Sequence, residues 1–204
     1  MPGIVAHMTI AKLVGDSLHI NSDDFIIGNI LPDILSIGNN NAHHKRQGKI
    51  YQVPDINYWK EKLNPIDDKH LGYLTHLLLD YYFLEEYVPE KVKNKDAFID
   101  KSIYIDYDIL NCKLVKRFKL DTEAISMALK SIEDDIDKEK LSYNLYCLKM
   151  KEEGETENLD EEDFSKFLLC VSKVISKEIE EYASESSKLP VCPRQRKKRK
   201  YKKE

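Results

Sequence analysis

A chain of 204 residues and 23.8 kDa is most simply one domain of ordinary size, or one domain with an appendage, and 42% hydrophobic residues suffice for a core. The net charge of −4 hides an asymmetry: Arg194 to Glu204 holds eight Lys or Arg and one Glu, a net +7, which leaves −11 on residues 1–193. The longest stretch free of Asp, Glu, Lys and Arg is about 11 residues, against the roughly 18–20 of a membrane span, so no transmembrane helix is expected. The N-terminus has no basic residue before Lys12 and no apolar run ending in a small-residue cleavage site. It does not read as a secretory signal, and a cytoplasmic chain is the expectation.

In chain order, Ile4, Met8, Ala11, Val14 and Leu18 recur at steps of three or four, the spacing of one helical face over residues 4–18. Ser22 with Asp23 and Asp24 is a helix start before FIIGNIL, and Pro32 predicts a bend that leaves Asp33 at or just past the helix end. Residues 38–54, rich in Gly, Asn and polar groups, read as a long loop. Asp67 or Asp68 caps the most strongly patterned helix, LGYLTHLLLDYYFLEEYV, ended by Pro89. Further helices are predicted at about 106–118, 121–133, 138–150 and 160–185, with 151–158 a solvated connection. Residues 102–105 stay ambiguous between strand and helix. Together these predict a single all-α bundle over residues 1–186 and a disordered basic tail over 187–204.

Four cysteines lie far apart without a C-x-x-C pair; Cys112, Cys147 and Cys170 fall in apolar helical patterns and are expected as buried thiols. All six histidines, His7, His19, His43, His44, His70 and His76, precede residue 77. His76 and Asp80 are four apart on the best helix, so both project from one face and one metal can reach both. His70, six residues earlier, falls about 240° round the helix from that face. The bland alternative is that His76 fills a polar hole and Asp80 ion-pairs. Yet a buried Asp80 in LLLDYYF requires a partner, and no Lys or Arg occurs between Lys69 and Lys91. Metal-type groups are available in His7, Asp33 and the pair His43 and His44.

His7 in an apolar first helix, G-N-I-L-P-D ending at Asp33, A-H-H at 42–44 and G-Y-L-T-H-L-L-L-D at 72–80 together resemble the zinc-dependent phospholipase C family, an all-helical metallohydrolase fold shared with certain single-strand-specific nucleases. The resemblance spans about residues 1–85. It implies one metal held by Asp33, His43, His76 and Asp80, and a neighbouring one held by His7 and Asp80. His44 is the alternative to His43, which is preferred because it follows the small residue Ala42. The resemblance also gives the family's metal-binding N-terminal amine a counterpart in Pro2, if Met1 is removed. The secreted members' further zinc, held by two histidines and a glutamate, has no counterpart here, since no histidine follows His76. Glu85 and Glu86 are expected at a solvated helix end.

The implied activity is a metal-dependent phosphoester hydrolase with one or two zinc ions. Manganese or iron also suit mixed His and Asp ligation. Asp33 or Asp80 is the expected catalytic proton acceptor, and the substrate a small-molecule or lipid phosphoester. Two rivals are a noncatalytic protein tied together by its metal, and a phosphodiesterase recruited to nucleic acid by the tail RQRKKRKYKK. That tail otherwise suits an anionic membrane surface, or a solubilising end with no fixed partner. Tyr81 and Tyr82 beside Asp80 are expected in aromatic packing, Asp106 and Asp108 near a helix cap, and Trp59 as an anchor in a satellite cluster.

Overall fold

The computed structural model describes residues 2–36, 39–63, 66–92, 96, 101–149 and 154–186. The basic tail and Cys192 lie outside these. Among the described residues the chain is helical apart from one small hairpin, so the expected all-α architecture holds.

Helix α1 (Ile4–Leu18) ends at His19, whose left-handed backbone (φ 58°) lets Ile20 N–H return to the Gly15 carbonyl. Helix α2 (Asp23–Ile34) is capped by Ser22, whose hydroxyl accepts from Phe25 N–H. Leu31 is not pushed out of helical geometry by Pro32, and the helix ends at Ile34, one residue past Asp33. The helix carries the proline inside its last turn, and Leu35 N–H still bonds to the Leu31 carbonyl. Proline in a helix costs about 3 kcal/mol. Burial of Ile30, Leu31 and Ile34 around it offsets that cost and keeps Asp33 on the helix.

Residues 39–54, expected as loop, form a five-residue helix α3 (Asn39–His43) and a hairpin of β1 (Lys45–Gln47) with β2 (Gln52–Pro54), in which Arg46 pairs with Val53. Each strand is three residues long, too short to show an alternating pattern. A further helix not foreseen, α4 (Ile56–Lys62), is capped by Asp55.

Helix α5 (Asp68–Tyr82) runs through the middle of the molecule with Leu71, Leu74, Leu77, Leu78 and Leu79 all buried, and Asp67 caps it. The helical run continues through Val88 as expected, but it is not α-helical throughout and Pro89 does not end it. A π-helical turn (Phe83–Tyr87) follows, then α6 (Val88–Lys91), where Pro89 occupies the first turn because its missing N–H costs nothing there. Glu85 is therefore not at a solvated end. The π-turn buries it, and its carboxylate accepts from Lys49 N–H (2.9 Å) in the hairpin turn, while Glu86 stays exposed.

Helices α1 and α2 pack against α5. The α2–α5 approach is close because Gly28 and Gly72 face it: a Cβ on Gly28 would lie 1.9 Å from the Lys69 carbonyl oxygen, and one on Gly72 2.1 Å from that of Phe25. Helices α7 (Ile103–Phe118), α8 (Thr122–Lys130), α9 (Lys138–Cys147) and α10 (Glu161–Ser186) complete the fold, and α10 packs along α1 and α5. The ambiguous residues 102–105 thus open α7. Asp106 caps a loop rather than its own helix: its buried carboxylate accepts from the N–H groups of Glu157, Asn158 and Leu159 at 2.7–2.9 Å. Of the three cysteines expected inside, only Cys147 is buried; Cys112 is half-buried and Cys170 exposed. On α10 the inward face is Phe164, Leu168, Val171, Ile175, Ile179 and Tyr182, and Cys170 falls off it.

Candidate metal centre

Four elements deliver His and Asp side chains to one point between α1, α2 and α5. His7 comes from α1, Asp33 from the last turn of α2, His43 from the end of α3, and His76 with Asp80 from α5. His7, His43, His76 and Asp80 are fully buried, whereas the Asp33 side chain is 22% exposed. Sequence spacing alone placed only His76 and Asp80 together; the packing adds the other three.

The donor atoms crowd one another. Asp80 Oδ2 lies 3.3 Å from His43 Nε2 and 3.4 Å from His76 Nε2, while Asp80 Oδ1 lies 3.5 Å from His7 Nε2. Asp33 Oδ1 is 3.8 Å from His43 Nε2 and 3.7 Å from His76 Nε2, and the two Nε2 atoms are 3.3 Å apart. Charge-assisted hydrogen bonds close to about 2.7–2.9 Å, so these separations are too long for that. Those among His43, His76 and Asp80 match instead the edge of a coordination tetrahedron, about 3.3–3.4 Å when metal–ligand bonds are about 2.0–2.1 Å, while the Asp33 separations, 3.7 and 3.8 Å, are longer. Two triads, His7–Asp33–His76 and His43–His76–Asp80, each bring one donor atom per residue within 4.8 Å of the others, close enough to share a metal ion.

Neither ring nitrogen of His7 and neither carboxylate oxygen of Asp80 completes a hydrogen bond. Unpaired polar atoms at full burial are costly, and a bound cation is one way to satisfy them all. Among the described residues, the ion-pair partners of Asp80 are the three imidazoles.

Comparisons with known family models, curated proteins and solved structures find no match.

The backbone orients the donor atoms of this cluster. His76 Nδ1 lies 2.7 Å from the Asn29 carbonyl oxygen, which can only accept, so Nδ1 carries the proton and the Nε2 lone pair faces Asp33 and Asp80. Asn29 in turn donates to the Gly72 carbonyl. His7 stacks on His76 with ring centroids 3.8 Å apart. Burial pulls His76 down in pKa, but the charges of Asp33 and Asp80 outweigh it and leave the imidazole above its usual 6.5. Burial, and then the neighbouring His76, lowers His7. Burial raises the Asp80 carboxyl, yet His76, His43 and His7 together hold it well below the ordinary carboxylate value.

His44, the alternative to His43, points away from the cluster: it is exposed, takes a left-handed backbone (φ 38°) and stacks on Tyr58. His19 and His70 also lie elsewhere, one at the end of α1, the other against Asp67. Tyr82 donates to Glu178 and Tyr81 packs beside it, so the pair lies apart from Asp80.

Asp33 opens onto a cleft of about 440 Å³. Pro2 and Gly3 form one side, Tyr104, Tyr107, Asp108 and Asn111 of α7 another, and Glu139 to Cys147 of α9 the third. Helix α9 is held beside Asp33 because Asp137 N–H bonds to the Ile34 carbonyl and Ser36 N–H to that of Asp135. Sequence reasoning identified none of the α7 and α9 lining residues, since no local pattern marks them.

Proposed function

We propose that this chain is a metal-dependent hydrolase of phosphoesters, similar to the zinc-dependent phospholipase C family. Asp33, His43, His76 and Asp80 hold one zinc, and His7 with Asp80 contributes to a neighbouring one. The observation that carries this reading is the convergence of five His and Asp side chains at coordination spacing, with only Asp33 open to a cleft. Mixed nitrogen and oxygen donors suit zinc, and manganese or iron fit the same set. When bound, such an ion lowers the pKa of a water toward neutrality and offsets charge on phosphoryl oxygens.

The protein's own groups divide the remaining work. Asp33 faces the cleft and is placed to accept a proton from water there. Asp80, sealed from solvent, serves as an anchor between three imidazoles. The His76 Nδ1–H bond to Asn29 fixes the ring that both triads share. Pro2 borders the same cleft as Asp33.

The cleft favours a small phosphodiester over a polynucleotide. Its charged lining is Asp33, Asp108 and Glu139 against Lys140 alone, and a polyanion would meet like charge on entering. Burial of four cluster members supports a second reading, a closed structural metal. The two differ in whether a ligand position stays open.

The test is hydrolysis of bis(4-nitrophenyl) phosphate by zinc-loaded protein, with Asp33→Asn as control. Turnover that falls at least about 100-fold in the variant when both proteins are saturated with zinc supports the hydrolase. Full zinc occupancy with no turnover, and no zinc-bound water by spectroscopy of the cobalt-substituted protein, supports the structural reading.

A further inference from the structure

His43 is the one cluster residue not carried by a long packed helix. Helix α3 is five residues long, and a helix that short does not hold itself in water. The last carbonyls of any helix also lack partners within it. Here three successive carbonyls are each taken by a donor from another part of the fold. The Tyr73 hydroxyl donates to the Ala42 oxygen (2.5 Å), the Trp59 indole N–H to that of His43 (3.0 Å), and Asp55 N–H to that of His44 (2.9 Å).

The first two donors are aromatic side chains braced on each other, with ring centroids 4.9 Å apart. Tyr73 sits three residues before His76 on α5, so the helix face that presents one imidazole also grips the backbone that presents another. Trp59 is the only tryptophan in the chain. An indole N–H can only donate, and its direction is fixed by the ring.

From this geometry we infer that Trp59 and Tyr73 are positioning residues for His43, holding its imidazole toward Asp80 and His76 through the carbonyls of Ala42 and His43. The inference rests on the metal reading above for its consequence, but its mechanical part can be read without metal. Coordination distances tolerate about 0.2 Å, and a peptide rotation at residues 42–43 displaces the ring by more than that.

Tyr73→Phe removes a donor and keeps the ring, and Trp59→Phe removes a donor and leaves a smaller aromatic ring in its place. Zinc affinity, measured by competition with a chromophoric chelator, falls about tenfold in each. In a His43→Ala background neither change weakens zinc further, because the residue they act through is gone. Wild-type affinity in both variants, or an equal loss in the His43→Ala background, overturns the inference. In metal-free protein, amide hydrogen exchange at residues 43–46 speeds up about tenfold in Trp59→Phe, with the buried α5 amides unchanged. Unchanged exchange at 43–46 overturns it as well. Faster exchange in a protein whose wild type takes up no zinc removes the metal reading and leaves the positioning role standing.

Discussion

His7 and His76 lie face to face, 9° from parallel, and each reaches a different oxygen of the same Asp80 carboxylate. Two stacked imidazoles on one buried carboxylate suit a chelate, because each neutral ring can offer a lone pair at the rigid spacing its helix sets. Zinc binding follows as the first expectation: purified protein carries about one or two ions. His76→Ala or Asp80→Asn lowers zinc affinity by at least about 100-fold, since each residue belongs to the shared core of the cluster. With free zinc at about 100 times Kd the native state gains about 2.7 kcal/mol. For a chain of this size that raises Tm by roughly 5–10 °C. Calorimetry of wild type and both variants with and without zinc checks it, and an identical Tm in all six samples would contradict it.

Zinc affinity depends on pH through His76. A zinc ligand must give up its proton, and the carboxylates of Asp33 and Asp80 outweigh burial to keep His76 protonated above the usual 6.5. The sign is therefore loss of zinc on acidification. Affinity falls about tenfold per pH unit below the raised His76 value, starting on the alkaline side of 6.5. His7, lowered by burial and by its neighbour, adds no proton at neutral pH. Competition titrations from pH 8 to pH 5.5 measure the slope, and an affinity that stays flat down to pH 6 contradicts the assignment.

What could be read from the sequence follows from where its periodicity reaches. His76 and Asp80 were legible because four residues is one helical turn, and His7 because it interrupts an apolar face. Whether His43 or His44 belongs to the cluster was open, since adjacent loop residues differ only in backbone geometry; the left-handed turn at His44 decides it. Pro32 misled because a local rule was overridden by burial of its neighbours. Trp59 was legible only as an anchor, and Tyr73, Gly28 and Gly72 only as members of longer motifs; what they do was not legible, for they act on backbone atoms of distant segments.

Those two glycines set the distance between α2 and α5, and hence between Asp33 and His76. Adding a methyl group at Gly28 places it 1.9 Å from the Lys69 carbonyl oxygen, and at Gly72 2.1 Å from that of Phe25. Backbone atoms cannot rotate away as a side chain can, so the helices must separate. Gly28→Ala and Gly72→Ala each destabilise the metal-free protein by about 3 kcal/mol. Both also weaken zinc binding, because Asp33 moves with α2. Urea denaturation and zinc titration read the two effects, and an alanine variant with native stability and affinity would show that the interface yields more easily than its backbone contacts imply.

The π-helical turn after Asp80 has a task of its own. It buries Glu85, which accepts from Lys49 N–H, while Lys49 Nζ reaches back to the Glu85 carbonyl at 3.3 Å. The hairpin that starts two residues after His43 is thereby pinned at its tip to the helix that carries His76 and Asp80. Gly48 is needed beneath this contact, because a Cβ there would lie 2.1 Å from Glu85 Oε1. Glu85→Ala removes the acceptor of the part-buried Lys49 N–H and destabilises the fold by about 0.5–1.5 kcal/mol. Its effect on zinc is smaller than that of Trp59→Phe, because Trp59 grips the carbonyl of His43 itself whereas Glu85 acts at the far end of the hairpin. Amide exchange localises the change: protection falls at residues 47–51 in Glu85→Ala and persists at residues 43–46. Equal loss of protection along the whole hairpin would mean that the tip, and not the aromatic pair, holds the histidine in place.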